Sequence, residues 1–259
     1  MRLSGLQYPI AWEDRAATLA TIQRLLTAEP PAPDSLLVLP EMALTGFSMD
    51  LTRAADSPIG ESRQALCALA HHYRCWLVAG AASLSHDGRG LNQALVIDPT
   101  GTLIGRYTKM HPFSLTGEER HYAPGDEPIV IPCGPFHLAP FICYDLRFPE
   151  IFRSAARRGA DLMVVVACWL EGRHAHWRPL LQARAIENQA WVVGLNRCGQ
   201  DPSHRYLGGS VIFAPDGTLI SELGTSEGLL QAELDPQTVA RTRQAFPALR
   251  DLRPDWSHP

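Results

Sequence analysis

The sequence predicts an α/β fold in which strands and helices alternate, and two observations carry that prediction. Short apolar runs rich in β-branched residues alternate with segments of helical spacing from end to end. Two segments also resemble each other: IDPTGTLIGRY at Ile97 to Tyr107 and FAPDGTLISEL at Phe213 to Leu223. Each reads as a hairpin, in which proline presets one turn angle, glycine supplies a positive one, and Thr-Leu-Ile returns as the second strand. Turn chemistry alone accounts for this likeness. So does a chain of two similar α/β halves, each contributing a sheet, packed face to face with helices outside.

The elements follow in chain order. LSGLQYPI reads as a first strand, and Glu13 to Leu26 carries Ala16, Leu19, Ile22 and Leu26 at helical spacing. In LLVLP the continuous apolar run marks a strand buried on both faces, stopped by Pro40, which cannot donate to a ladder. A helix over Glu61 to Tyr73 leads to the strand CWLVAGAA, and a helix over Phe148 to Arg158, ended by Gly159, leads to DLMVVVAC. With no Ser/Gly-rich linker or charge run, a single domain over residues 1–259 is expected. The polar, proline-punctuated tail after Pro247 is expected to lie along the surface or a partner subunit.

Composition narrows the partners. The chain is 46% hydrophobic and 19% charged, which rules out a disordered or fibrous protein. Lys+Arg number 23 against 27 Asp+Glu, a formal charge of -4 that favours neither nucleic acid nor an anionic membrane. A small molecule is the expected partner. The longest apolar run, Leu162 to Leu170, falls well short of the roughly 18 residues that span a bilayer. The start, MRLSGLQYPIAWEDRAA, has no apolar stretch of a leader, so a cytoplasmic location is expected. Six cysteines without dense regular spacing read as free thiols, most of them small core residues.

Chemistry concentrates at strand ends, where α/β sheets gather functional groups. LLVLP ends on Glu41, GTLIGRYTK on Lys109 and HLAPFIC on Cys143. A cysteine at the sharp junction after a strand exposes its sulfur, with backbone N–H groups nearby to hold an oxyanion. Acyl transfer at an amide or nitrile carbon needs a nucleophile, a proton acceptor and positive charge at the oxyanion. Glu41, Lys109 and Cys143 supply these, and the lysine offsets the carboxylate that would otherwise raise the thiol pKa. Each residue alone would read as structural.

Together they resemble the carbon-nitrogen hydrolase (nitrilase) superfamily, whose members carry Glu, Lys and Cys in this order. The resemblance spans nearly the whole chain: LLVLPEMALTGF around Glu41, GRYTKMHPF around Lys109, FICYDLRFPE around Cys143, ARAIENQAWVVGLNR, and HPF to PGD at His111 to Asp126. It implies a four-layer αββα sandwich of two packed mixed sheets flanked by helices, a homodimer, and catalysis without cofactor or metal. It further implies a second glutamate before Pro-Gly-Asp; counting back from Asp126 favours Glu118 over Glu119, although a carboxylate there could simply pair with Arg120. The backbone N–H of Tyr144 would join Lys109 in holding the oxyanion.

CYDLRFPE followed by HWRPLLQARAIENQAWVVGLNR is similar to the omega-amidase branch, which cleaves the terminal amide of 2-oxo acids such as 2-oxoglutaramate and 2-oxosuccinamate. Nitrilases proper show Cys-Trp-Glu where Tyr144 and Asp145 follow Cys143 here, which points to amides. An oxo-acid substrate needs a cation for its carboxylate. Arg147, Arg173 and Arg197 are the candidates. Deaminated glutathione and N-carbamoyl amines are the neighbouring substrate classes, and a catalytically silent amide-binding protein is the alternative of another kind. His174 and His176 lie two apart, so a helix would not aim them together, and no HExxH or CxxC completes a metal set. GRG at Gly88 to Gly90 and LGGS at Leu207 to Ser210 are too short to cradle phosphate.

Overall fold

Successive residues of a strand point to opposite faces, and that alternation divides the interior in two. In the computed structural model, which describes residues 1–57 and 60–253, β1 (Arg2–Gln7), α1 (Arg15–Ala28) and β2 (Leu36–Val38) come first. The turn α2 (Leu51–Ala54) and β3 (Ala55–Asp56) lead to α3 (Glu61–Tyr73), β4 (Trp76–Leu84), β5 (Gly90–Ile97) and β6 (Leu103–Thr108). Next stand α4 (Glu118–His121), β7 (Ile131–Cys133), β8 (Phe136–Ile142), α5 (Pro149–Arg157), β9 (Leu162–Ala167), α6 (His174–Asn188) and β10 (Trp191–Asn196). A small ribbon of β11 (Cys198–Gln200) and β12 (Arg205–Leu207) precedes β13 (Val211–Phe213), β14 (Leu219–Glu222), β15 (Gly228–Glu233) and α7 (Pro236–Ala245).

One mixed sheet runs β15-β1-β2-β4-β5-β6, with β3 beside β4, and a second runs β14-β13-β10-β9-β8-β7. Leu36 and Val38 of β2, with Val78 and Val96, share a buried cluster with β8, β9, β10, α5 and α6. Leu37 and Leu39, with Leu77 and Ala79, instead join Ile22 and Leu26 of α1 and Leu66 and Leu69 of α3. The layers are therefore helix, sheet, sheet, helix, as the resemblance implied. Each such side chain contributes about 1.5–3 kcal/mol by leaving water.

The two similar segments fold alike. Asp98 N donates to Thr102 O at 2.9 Å and Gly101 N to Asp98 O at 2.9 Å; Ala214 N donates to Thr218 O and Gly217 N to Ala214 O at the same distances. Gly101 and Gly217 take φ of +82° and +85°, and both hairpins shift register at the strand end before the turn.

Local boundaries follow capping chemistry. The side chain of Asp14 accepts from Ala17 N at 2.9 Å, so α1 begins at Arg15 rather than at Glu13. Pro149 opens α5 because its missing N–H is unneeded in a first turn. Among the described residues no helix is long and apolar enough to cross a membrane. The tail is described only to Arg253; its last six residues lie outside the described chain.

Candidate active site

Glu41 follows Pro40 just past β2, and its main chain is pinned to β4: Gly80 N donates to Pro40 O and Ala43 N to Gly80 O, both at 2.9 Å. That approach is possible only because residue 80 lacks a side chain. A Cβ there would lie 2.4 Å from Met42 N and 2.5 Å from Glu41 Cα.

Lys109 is the first residue after β6. Its N–H donates to Asn92 O at 2.8 Å and its carbonyl accepts from Gly125 N at 2.9 Å. The side chain is buried, and Nζ donates to Glu41 Oε1 at 2.9 Å and to Glu118 Oε2 at 2.8 Å. Burial alone would push the ammonium pKa down, but Glu118 and then Glu41 hold it well above the ordinary lysine value. It is a fixed positive charge.

Glu118 opens α4, fully buried, and accepts from Phe113 N at 2.6 Å as well as from the lysine. Glu119 is exposed and faces Arg120 at 3.7 Å. The pairing with Arg120 thus belongs to Glu119, and Glu118 is the carboxylate that reaches the lysine.

Cys143 stands directly after β8 with φ +46°, a left-handed conformation uncommon for a side chain that carries Cβ. Asp145 holds that bend. Its Oδ2 accepts from Ile142 N at 3.1 Å and from Tyr107 Oη at 2.8 Å, and its Oδ1 accepts from His111 N at 3.0 Å. Because Tyr107 and His111 flank Lys109, the same carboxylate ties the cysteine bend to the lysine segment. The Tyr144 N–H falls in the first turn of the 3-10 helix Cys143–Arg147, where N–H groups have no internal partner. Burial pushes the Cys143 thiol pKa well up, Glu41 adds to the rise and Lys109 opposes it. At neutral pH the sulfur keeps its proton and requires a base.

Cys168, just after β9, completes the surroundings of Glu41: its N–H donates to Glu41 Oε2 at 2.8 Å and its thiol to Glu41 O at 3.3 Å. Lys109, Cys143 and Cys168 line a cleft of about 360 Å³, mouth included, walled by aromatic rings such as Phe47, Phe113 and Trp169.

Arg147 and Arg173 also line it, half-buried. Arg147 lies 4.8 Å from the Trp169 ring centroid and 5.9 Å from that of Tyr144, and Arg173 lies 5.8 Å from that of Phe113. Among the described residues neither makes an ion pair with a carboxylate. Burial holds the Arg147 pKa below its ordinary value, and Arg173 beside it adds repulsion. Arg197, the third candidate from sequence, is fully buried elsewhere. It donates to Ile10 O, Cys198 O and Gln200 O and stacks 4.3 Å from the Tyr206 ring.

A permanent cation and a thiol therefore line one cleft, and the Glu41 carboxylate stands behind them on the lysine, an arrangement suited to acyl transfer. Sequence reasoning had no handle on Asn92 or Cys168, which come from segments whose spacing carries no motif, and although Phe47 and Phe113 stand in the segments around Glu41 and Lys109, nothing there marked them as walls of the cleft.

Comparison with known proteins shows the family. The family model for carbon-nitrogen hydrolases matches residues 2–244. The chain is 37% identical over 259 residues to the omega-amidase YafV of Yersinia enterocolitica, covering 97% of this chain and 96% of that one. It is 32% identical over 254 residues to the 2-oxoglutaramate amidase of Bacillus subtilis, covering 98% of each. The crystal structure of XC1258 from Xanthomonas campestris, a CN-hydrolase superfamily protein with an arsenic adduct in its active site, superposes with a TM-score of 0.89. That pair is 29% identical, over 98% of this chain and 97% of the other.

Proposed function

Because the chain belongs to the carbon-nitrogen hydrolase family, we propose that it cleaves the terminal amide of a small 2-oxo acid, of the 2-oxoglutaramate or 2-oxosuccinamate type, to the acid and ammonia. The observation that carries this reading is the pair of half-buried guanidiniums, Arg147 and Arg173, lining the cleft that holds Cys143 with no carboxylate partner among the described residues. A substrate carboxylate fits between them and relieves their mutual repulsion.

In the proposed reaction Glu41 takes the proton from Cys143 as the sulfur attacks the amide carbon. The resulting oxyanion faces Lys109 Nζ and the Tyr144 N–H. Collapse breaks the C–N bond, Glu41 returns its proton to the leaving nitrogen, and ammonia departs from a thioester on Cys143. Glu41 then deprotonates a water that attacks the thioester, and the acid leaves as the thiol regains its proton. Lys109 stays charged throughout, consistent with its pKa held well above the ordinary lysine value. Glu118 holds the ammonium from the other side.

We also assign a homodimer to the face around the C-terminal half of α6. Exposed Ile186, Leu219, Ile220 and Phe246 are apolar there, and α6 reaches both neighbouring segments: Gln182 donates to Gly217 O and Gln189 to Phe246 O.

The test is ammonia release from 2-oxoglutaramate, 2-oxosuccinamate, deaminated glutathione, an N-carbamoyl amine and a neutral short amide, with wild type and Arg173→Met. The oxo-acid amides should turn over fastest. Arg173→Met should raise their KM by roughly 10–100-fold while leaving the neutral amide nearly unchanged. Faster turnover of the carbamoyl compound or of deaminated glutathione would replace the substrate class. Light scattering of a strictly monomeric active enzyme would remove the dimer.

A further inference from the structure

Asn92 lies on β5, essentially buried, between the two glutamates. Its Nδ2 donates to Glu41 Oε1 at 2.8 Å and to Glu118 Oε1 at 2.9 Å. Lys109 Nζ bridges the same two carboxylates from another direction, at 2.9 and 2.8 Å. Two carboxylates and two bridging donors thus close a ring. Asn92 contributes a third link, since its carbonyl accepts from Lys109 N at 2.8 Å.

The amide makes these contacts at a cost. Its Oδ1 is buried without a hydrogen-bond partner among the described residues, and a buried orphan acceptor calls for an explanation. The reverse orientation is unavailable, because Oδ1 would then face two carboxylate oxygens. A hydrophobic residue of similar size would avoid the orphan, so what is retained is the pair of N–H donors.

From this geometry we infer that Asn92 is a positioning residue that occupies the two facing carboxylate oxygens, Glu41 Oε1 and Glu118 Oε1, and thereby keeps Glu41 in the proton-accepting form. The cluster holds two negative charges and one positive charge in a desolvated site. Its simplest relief is a proton taken up by one of the carboxylates, which would disarm the base if that carboxylate were Glu41. A neutral double donor blocks that proton without adding charge. The other groups around the ring are the Cys143 and Cys168 thiols and the Tyr122 hydroxyl, all with pKa values raised by burial and then by these acids, so none supplies a competing charge at neutral pH. The inference rests on Glu41 acting as base toward Cys143.

The test is the pH dependence of kcat/KM for the preferred amide and of Cys143 alkylation by iodoacetamide, with Asn92→Leu and Asn92→Ala. Loss of the donors lets the carboxylate pair keep a proton to higher pH. The acid limb of both profiles should then move up by about one pH unit or more. At a pH on the acid limb kcat should fall by up to roughly tenfold for each unit of that shift, with KM changed only a few-fold. Asn92→Asp, isosteric and therefore least disruptive to folding, brings a third carboxylate that makes the cluster hold a proton still more firmly, so its acid limb should move up at least as far as in Asn92→Leu. An acid limb left in place in every folded variant, or a loss carried by KM alone, would overturn the role. Alkylation of Cys143 that leaves wild-type turnover intact would instead sink the underlying mechanism, so the two failures are distinguishable.

Discussion

Gly80→Ala should damage the site through the backbone, without touching any reactive side chain. The added Cβ meets Met42 N at 2.4 Å and Glu41 Cα at 2.5 Å, against an ordinary contact of 3.4 Å or more. Neither neighbour is the end of a flexible side chain, so the segment carrying Glu41 must retreat by about 1 Å, and misplacement on that scale costs roughly 10²-fold in rate. Overpacking destabilises by about 1–3 kcal/mol, while replacing a strand glycine returns about 0.5–1 kcal/mol. For a chain of this size the net corresponds to a Tm lower by a few degrees, at roughly 2–4 °C per kcal/mol. The assay is ammonia release with kcat and KM resolved, alongside thermal unfolding. Gly224→Ala is the control, because a Cβ there meets nothing within 4 Å. A Gly80→Ala enzyme with wild-type kcat and unchanged Tm would refute the claim that β4 sets the position of Glu41.

Two further outcomes follow from buried charge. Lys109→Met leaves Glu41 and Glu118 buried without their cation, which should cost about 3–5 kcal/mol and abolish turnover; denaturant titration should show the deficit shrinking as pH falls and the stranded carboxylates take up protons. A deficit independent of pH would contradict that account. At the alkaline end, burial pushes the Cys75 and Cys133 thiols up to about 12 from 9.0. Between those values the folded state holds protons the unfolded state has lost, so stability is intact below pH 9 and falls as pH rises toward 12, by at most about 4 kcal/mol per thiol. Cys133→Val should flatten that slope in urea titrations from pH 8 to 11, and stability that stays level in wild type would dismiss it.

Much of the site was legible because its three reactive side chains sit where strands stop, and strand ends leave strong local marks. Pro40 ends one apolar run, and Cys143 ends another just before a proline-led helix. The duplicated Pro-x-Gly turns mark hairpin edges that fold with matching hydrogen bonds. The resemblance favoured Glu118 over Glu119 but left the choice open, and the structure shows how the two differ: one side chain turns inward to a lysine and the other outward to Arg120. The illegible part is of one kind. Asn92, Cys168 and Trp169 act through hydrogen bonds or ring contacts to groups distant in sequence, as when Cys168 N reaches Glu41 across 127 positions. No periodicity records such a meeting. Arg197 shows the converse: in ARAIENQAWVVGLNR it looks like a substrate arginine, yet its guanidinium is spent on three backbone carbonyls.

The contrast between the arginines gives the site its logic. An arginine held by backbone carbonyls is structural, as with Arg197, whose Nε and Nη2 donate to three of them away from the cleft. One resting on aromatic faces is charge-stabilised without a carboxylate, as with Arg147, which lies over Trp169 and whose one side-chain contact within hydrogen-bond range among the described residues is Nη1 to His176 Nδ1 at 3.3 Å. Around Glu41 the opposite strategy holds, with every carboxylate oxygen already occupied: Oε1 by Lys109 and Asn92, Oε2 by Cys168 N. The carboxylate cluster behind Lys109 is therefore saturated, whereas the Arg147 and Arg173 end of the cleft is cationic and without a carboxylate partner among the described residues. Such a division makes a testable demand: an amide that carries an anionic group engages both ends and a neutral amide only one, so the ratio of their kcat/KM values measures what the arginine end contributes.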